Sequence, residues 1–129
     1  MVYRGKGSQG WRKIGEEESY YRSKWESNYA RYLQHIMEMG HIRGWSHEPW
    51  IFRFEKITRG CTTYKPDFCV FENDGTHYWV EVKGWMDSKS KTKIKRFEKY
   101  FPNEILIVVG KEWFSKNSSK LKHLIKDWE

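Results

Sequence analysis

The sequence has few cysteines and no long apolar segment. Its 129 residues include two cysteines, Cys61 and Cys69, too few and too far apart for a CxxC metal or redox motif. There is no run of about 18 apolar residues such as a membrane helix requires. Residues 1–10 also lack the apolar stretch of a secretory signal. We therefore expect a soluble, cytoplasmic chain with reduced thiols and no zinc site.

Several common catalytic motifs are also absent. No glycine-rich phosphate loop or GxSxG elbow occurs, which argues against nucleotide hydrolysis and esterase chemistry. The five histidines show no HExxH or similar spacing. Each is therefore predicted to be a surface or packing residue rather than a metal ligand.

Aromatic residues and positive charge are abundant. Aromatics make up 18% of a chain that is only 38% hydrophobic, so a few large rings are expected to supply much of a small core. The formal net charge is +7, which predicts a polyanionic partner, most commonly nucleic acid. The length suits one domain, which we place at residues 20–129.

Residues 1–19 mix glycine, serine and basic residues without a sustained apolar period. They are predicted to form a basic N-terminal arm, either flexible or ordered by a partner. The basic side chains in this arm can contact phosphate or belong to a solvated tail, and both interpretations remain open: Arg4, Lys6, Arg12 and Lys13.

The remaining pattern predicts an α/β domain with the order α-β-β-β-α-β-α. Apolar residues at three- and four-residue steps indicate helices, alternating ones indicate strands, and Asp74-Gly75 is a hairpin signal. A continuous aliphatic run near the end predicts a strand covered on both faces, and Ser118-Ser119 can cap a last helix. The predicted helices are 23–39, 88–100 and one after 118, and the strands are 49–57, 64–71, 77–83 and 105–109.

Two acids and a lysine fall on two of these predicted strands. Asp67 and Glu81 can converge across the hairpin, and Lys83, two residues after Glu81, lies on the same face. Clustered carboxylates repel one another unless a cation compensates. Mg²⁺ suits such a site because it prefers carboxylate and water oxygens and leaves positions for phosphate.

These residue types match the requirements of phosphodiester hydrolysis, which needs an activated water and shielding of phosphate charge. Lys83 can orient or deprotonate the water, or stabilise the phosphate. Glu26, on the first predicted helix, is a candidate third metal ligand, with an ordinary surface glutamate as the alternative. Solvated strand charges remain the alternative for the whole cluster.

A cationic segment follows the cluster. Residues 83–99 contain seven Lys or Arg and two acids, a net charge of +5, which favours contact with phosphate backbones over a merely solvated helix face. Trp85, just after Lys83-Gly84, is the tryptophan expected to approach the substrate. The predicted DNA-contacting residues are Arg22, Trp85, Lys89, Lys91, Lys93, Lys95 and Arg96.

The segments YKPDF (64–68) and VEVKGW (80–85), with WESNY (25–29) before them, resemble the PD-(D/E)xK nuclease superfamily. More narrowly, they resemble the phage endonuclease I type of Holliday junction resolvases. The similarity covers about residues 22–109, and it is specific at the two motifs and loose elsewhere. No role transfers to the arm.

The resemblance implies a restriction-endonuclease-like mixed central sheet flanked by helices, and a Mg²⁺-dependent homodimer that nicks four-way DNA junctions. Mn²⁺ is expected to substitute for Mg²⁺. Glu26, Asp67 and Glu81 match the family's metal-binding acids, and Lys83 matches its catalytic lysine. The alternatives are a nicking enzyme for another DNA substrate (mismatch, restriction or transposition type) and a basic DNA-binding module without catalysis.

Overall fold

The computed structural model describes residues 9–129, which form a mixed α/β fold of three helices and eight strands. The order β-β-α-β-β-β-β-β-α-β-α contains three helices in the predicted order and four more strands than expected. The helices are α1 (Lys24–Glu38), α2 (Ser88–Tyr100) and α3 (Lys111–Leu124). The strands are β1 (Gly10–Ile14), β2 (Glu17–Tyr21), β3 (Gly44–His47), β4 (Phe52–Arg53), β5 (Thr63–Tyr64), β6 (Phe68–Phe71), β7 (His77–Val82) and β8 (Leu106–Val109).

The central sheet has four strands in the order β3-β6-β7-β8. Strands β3, β6 and β7 pair antiparallel, whereas β8 runs parallel to β7, so the sheet is mixed, as predicted. The β6–β7 hairpin turns at Gly75, whose φ of 92° is in the left-handed region that glycine favours. The predicted Asp-Gly turn is therefore confirmed.

Helix α1 covers one face of this sheet. Its N-cap Ser23 accepts a hydrogen bond from the backbone N–H of Glu26 at 3.1 Å, which satisfies a donor that the first turn leaves unpaired. Tyr29, Ala30 and Leu33 are buried against the sheet residues Phe68, Val70, Val80 and Val82. A second buried cluster contains Phe52, Phe54, Tyr64, Cys69, Trp79 and Phe97 of α2. Both faces of the sheet are thus occupied by aromatic-rich packing.

The predicted strand 64–71 is divided. Strand β5 ends at Tyr64 and β6 begins at Phe68, with Pro66 between them. Proline lacks a backbone N–H and restricts the residue before it, so the ladder is interrupted there. Asp67 consequently lies at the start of a strand instead of in its middle.

The predicted strand 49–57 was too long, and a strand before it was missed. Only Phe52–Arg53 pairs, with β5, although Phe52 and Phe54 are buried as the alternation predicted. Strand β3 instead forms where a loop was expected. Its residues are mostly half-buried, so they show no apolar alternation for a sequence pattern to detect.

The last strand and helix also depart from prediction. Strand β8 is at the edge of the sheet, and Ile107 and Val108 are each 44% exposed, so the expected cover on both faces is wrong. Helix α3 begins at Lys111, not near Ser118. Gly110 at its N-cap has no side chain to signal a helix start in the sequence, and the first turns pack through the Phe114 ring, which stacks on Trp25 with centroids 4.6 Å apart.

Part of the predicted flexible arm is a β-hairpin. Strands β1 and β2 pair antiparallel through a turn at Gly15, whose φ is 62°, and Ile14 and Tyr21 are buried in the core that α1 forms. Arg12 is 3% exposed and pairs with Glu129, so it is not available to phosphate as the arm interpretation allowed. The predicted boundary at residue 19 falls within β2. Residues 1–8, with Arg4 and Lys6, lie outside the described residues.

Candidate functional site: an acidic cleft beside the basic helix

One cleft brings together the four residues of the predicted chemical centre. It has a volume of about 570 Å³ and lies where the N-terminus of α1, the end of β7 and the first turns of α2 meet. Glu26, Asp67, Glu81 and Lys83 all line it. Four further charged residues of the cleft wall were not part of that centre: Arg22, Glu48, Lys65 and Lys93.

Asp67 and Glu81 are brought together by the β6–β7 register. Phe68 pairs with Val80, so one step further along the two strands Asp67 stands opposite Glu81. The Asp67 Oδ2 atom accepts a hydrogen bond of 2.7 Å from the backbone N–H of Val82. The two acids are 8% and 6% exposed, so both carboxyl groups are largely withdrawn from water.

The electrostatics of the pair follow from this burial. Burial raises the pKa of the Asp67 carboxyl well above its usual range, and the charges of Glu81 and Glu26 raise it further, while the Val82 N–H opposes the shift. Burial also raises the pKa of Glu81, against a hydrogen bond from Tyr64 and the charge of Lys83. The protein alone therefore stabilises the charged forms poorly, and a cation in the cleft would favour them.

Glu81 has two partners in the cleft wall. The Tyr64 hydroxyl donates to its Oε1 at 2.5 Å, and the Lys83 Nζ lies 3.9 Å from its Oε2. The Lys83 side chain is 35% exposed, so its ammonium group remains accessible from the cleft. Sequence reasoning found Lys83 and Glu81 but missed Tyr64, because β5 approaches Glu81 only through the tertiary fold.

Glu26 enters the cleft from the first turn of α1. It is 5% exposed, so it is not the ordinary surface glutamate that the sequence left as an alternative. Its Oε2 lies 2.5 Å from Nε2 of His47. Within residues 9–129, no hydrogen bond reaches the Glu26 Oε1 or the Asp67 Oδ1. Two buried carboxylates thus each keep one oxygen free on the cleft wall.

His47 and Glu48 are the acid–base residues that sequence reasoning missed. His47 is buried at the end of β3, with Nδ1 2.6 Å from the Ser19 Oγ. Glu48 adopts a φ of 48°, an uncommon conformation for a residue with a side chain, and its carboxylate contacts Arg22 and Lys65. One ligand atom each from Glu26, His47 and Glu48 lies within 4.8 Å of the others. No sequence motif predicts this group, because Glu26 is on a helix whereas His47 and Glu48 are at the end of a strand that was not predicted.

The predicted DNA-contacting residues are distributed over two places. Arg22, Trp85 and Lys93 line the cleft, and Trp85 is 78% exposed. Lys89, Lys91 and Lys95 are exposed on α2 outside the cleft lining. Arg96 is partly buried and donates to the backbone oxygen of Cys61 at 2.7 Å, so part of its hydrogen-bonding capacity is used within the fold.

A protein-family comparison matches residues 8–122 to the family described as "Protein of unknown function (DUF1064)". The chain belongs to this DUF1064 family. The match contains every residue of the cleft, so the acids and Lys83 lie inside the DUF1064 region. No curated protein and no solved structure matches the chain at a significant level. Among residues 9–129, none of the helices is long and apolar enough to span a bilayer.

Proposed function

We propose that this chain is a metal-dependent, structure-specific endodeoxyribonuclease that nicks branched DNA, as a Holliday junction resolvase does, on a restriction-endonuclease-like fold. One observation carries this function: Glu26, Asp67, Glu81 and Lys83 line a single cleft, and two of the buried acids each have an oxygen without a partner among the described residues. Carboxylates that are largely withdrawn from water and lie close to one another are costly to keep charged. A divalent cation bound between them removes that cost.

The donor set fits Mg²⁺, with Mn²⁺ as a substitute, because hard cations prefer carboxylate and water oxygens. Glu26, Asp67 and Glu81 would hold the ion. A bound Mg²⁺ supplies shielding of phosphate charge and acidifies water. The chain's own contribution is orientation: the Val82 N–H fixes Asp67, and the Tyr64 hydroxyl fixes Glu81.

Lys83 is the group placed to act on the water or the phosphate. Its ammonium is anchored near Glu81 but is still partly exposed to the cleft, as a residue that contacts the substrate must be. In its charged form it stabilises the negative charge that develops on phosphorus oxygens. A neutral Lys83 would instead accept a proton from the attacking water.

The surroundings of the cleft fit DNA. The lysines of α2 supply a positive surface that holds phosphate backbones without reading bases, and Lys93 and Arg22 extend it to the cleft wall. The exposed ring of Trp85 is available to stack on an unpaired base. Paired nicks in a symmetric junction require two active sites, so we further propose a homodimer with two-fold symmetry, acting in the cytoplasm.

The test compares a labelled four-way junction with matched linear duplex in Mg²⁺, in Ca²⁺ and in chelator. We expect paired nicks in the junction with Mg²⁺, and slower cutting of the duplex. Glu81→Gln and Lys83→Ala should each reduce cleavage by about 10²-fold or more while junction binding in Ca²⁺ persists. Glu98→Gln on α2 and Lys120→Ala on α3, matched changes at exposed positions outside the cleft lining, should leave cleavage unchanged.

The same experiment separates the alternatives. Mg²⁺-dependent cutting of mismatched or linear DNA with no preference for junctions would indicate a nicking enzyme for another substrate. Junction binding without cleavage under any metal would contradict catalysis and leave a basic DNA-binding module. An unchanged rate in Glu81→Gln would show that the cleft is not the active site.

A further inference from the structure

Glu26 belongs to two groups of potential metal ligands. It lines the cleft with Asp67 and Glu81, and its Oε1 has no hydrogen-bond partner among the described residues, whereas its Oε2 contacts His47. The second group consists of Glu26, the ring nitrogen of His47 and the carboxylate of Glu48. The acids of the proposed nuclease site leave this histidine-containing group unexplained.

We propose that Glu26, His47 and Glu48 form a second divalent-cation site, which shares Glu26 with the proposed nuclease site and prefers transition metals such as Zn²⁺, Co²⁺ or Mn²⁺ to Mg²⁺. One potential ligand atom from each residue lies within 4.8 Å of the other two. Three protein ligands that include a histidine and a carboxylate, with water as the fourth, are typical of an open zinc site. An imidazole ligand selects transition metals over Mg²⁺.

The surroundings of His47 hold its ring in a fixed orientation, as metal-binding histidines require. Metal-bound histidines commonly use their other ring nitrogen in a hydrogen bond that fixes the tautomer. Here Nδ1 lies 2.6 Å from the Ser19 Oγ, and the ring stacks on Tyr21 with centroids 4.3 Å apart. The 2.5 Å contact between Nε2 and the Glu26 Oε2 requires a proton between these two atoms. A metal ion would displace that proton, and Nδ1–H would then donate to the Ser19 Oγ while the Nε2 lone pair binds the metal.

Glu48 can exchange its present partners for a metal. Its Oε2 contacts Arg22 at 2.5 Å and its Oε1 lies 3.5 Å from the Lys65 Nζ, so cationic groups already occupy the positions around this carboxylate. The Arg22 side chain is 60% exposed and is free to rotate toward solvent. A divalent cation can therefore take the place of the Arg22 guanidinium beside Glu48, and the Glu48 carboxylate keeps a positive partner.

The test uses the untagged full chain without DNA and follows the imidazole ¹⁵N resonances during titration with Zn²⁺ and, separately, Mg²⁺. We expect Zn²⁺ to shift the Nε2 signal of His47, which is identified through its contacts with the Tyr21 ring, to the position of a metal-bound nitrogen. Mg²⁺, which would reach only the neighbouring Glu26, should shift this signal far less. Co²⁺ bound in parallel should give visible absorption. An unmoved His47 signal at saturating Zn²⁺ would overturn the proposal even if no variant folds.

Variants give a second measurement. His47→Gln and Glu48→Gln should weaken Zn²⁺ binding at least tenfold, and Ser19→Ala, which loses only the orienting hydroxyl, about tenfold. The matched control is His77→Gln, because His77 forms a similar pair with Glu104 at 2.9 Å on the surface. The Zn²⁺ affinity of this variant should equal that of the wild type. Wild-type affinity in His47→Gln would reject the site. These measurements need no cleavage, so they stand or fall separately from the nuclease proposal.

Discussion

The Asp67 carboxylate is held by the backbone of the neighbouring strand: its Oδ2 accepts a hydrogen bond of 2.7 Å from the N–H of Val82. Asp67 directly precedes β6, and Val82 is the last residue of β7. Because the donor is main chain, the orientation of this acid depends on the register of the sheet and on no other side chain. The second oxygen has no hydrogen-bond partner among the described residues, and Asp67 lines the cleft.

Without metal, the stability of the protein should fall as the pH rises. The folded-state pKa of Asp67 is raised, chiefly by burial, so the folded chain binds more protons than the unfolded chain above the ordinary aspartate pKa of about 3.9. Stability is then lost as the pH rises from there through the raised folded pKa. We expect the melting temperature in chelator to decline over this window. Asp67→Asn should flatten the decline, and an equal slope in this variant would contradict the assignment.

Metal binding should reverse this loss in the wild type. Near neutral pH, saturating Mg²⁺ or Ca²⁺ should raise the melting temperature by several degrees, because ligand at 100 times its Kd adds about 2.7 kcal/mol. Asp67→Asn should show little of this increase. Thermal scans with and without chelator measure both effects, with Glu98→Gln as the control that keeps the full response.

Tyr64→Phe should destabilise the protein and shift the pH dependence of cleavage. The Tyr64 hydroxyl donates to the buried Glu81, and leaving such an acceptor unpaired costs about 1–3 kcal/mol. Burial raises the pKa of Glu81 and this hydrogen bond lowers it, so losing the bond raises the pKa further. We expect the rise of the cleavage rate to move to higher pH. A profile identical to that of the wild type would mean that Glu81 ionisation does not control the rate.

Tyr21→Phe should have the opposite effect on stability. The Tyr21 hydroxyl is a buried polar atom with no hydrogen-bond partner among the described residues. Removing an unsatisfied buried group is neutral or favourable, and phenylalanine keeps the ring that stacks on His47. We expect an unfolding free energy equal to or up to about 1 kcal/mol above that of the wild type, measured in urea. A loss of more than about 1 kcal/mol would reveal a partner for this hydroxyl.

Glu129→Gln should lower the unfolding free energy by about 3 kcal/mol, because breaking a buried ion pair leaves a charge uncompensated. The Glu129 carboxylate accepts from Arg12, Arg31 and Ser27 at 2.6 to 3.0 Å. Urea unfolding provides the measurement. The control is Glu38→Gln, an exposed change on α1, which should cost less than about 0.5 kcal/mol. Equal effects of the two changes would show that the network is not stabilising.

The basic helix should determine the salt dependence of DNA binding. Each phosphate contact contributes about 0.9 to the slope of log affinity against log salt concentration. Lys93→Ala should reduce the slope by about 0.9, and the double change with Lys89→Ala by about 1.8. Binding is measured in Ca²⁺ at several salt concentrations. Lys111→Ala, a change at an exposed lysine on α3, is the control and should leave the slope unchanged. A slope that also stays unchanged in the Lys93 variant and in the double variant would show that the DNA binds elsewhere.

Several local features were predictable because nearby residues encode them. The apolar period predicted α1 within a residue at each end. Likewise, Asp74-Gly75 predicted the hairpin that places Asp67 opposite Glu81. Features that depend on distant partners were not predictable. The β1–β2 hairpin has a charged outer surface, and its identity as a hairpin becomes evident only when Ile14 and Tyr21 pack on α1.

The sequence by itself determined the starts of α1 and α2 and the hairpin register, and it brought Asp67, Glu81 and Lys83 to one place, because these follow from contacts between residues close in the chain. Only the tertiary structure decided how far the acids are buried and which side chains contact them. Helix α1 buries Glu26 beside His47, and β5 carries Tyr64 to Glu81. The free energy of a buried charge depends on every group around it, and those groups come from distant parts of the chain.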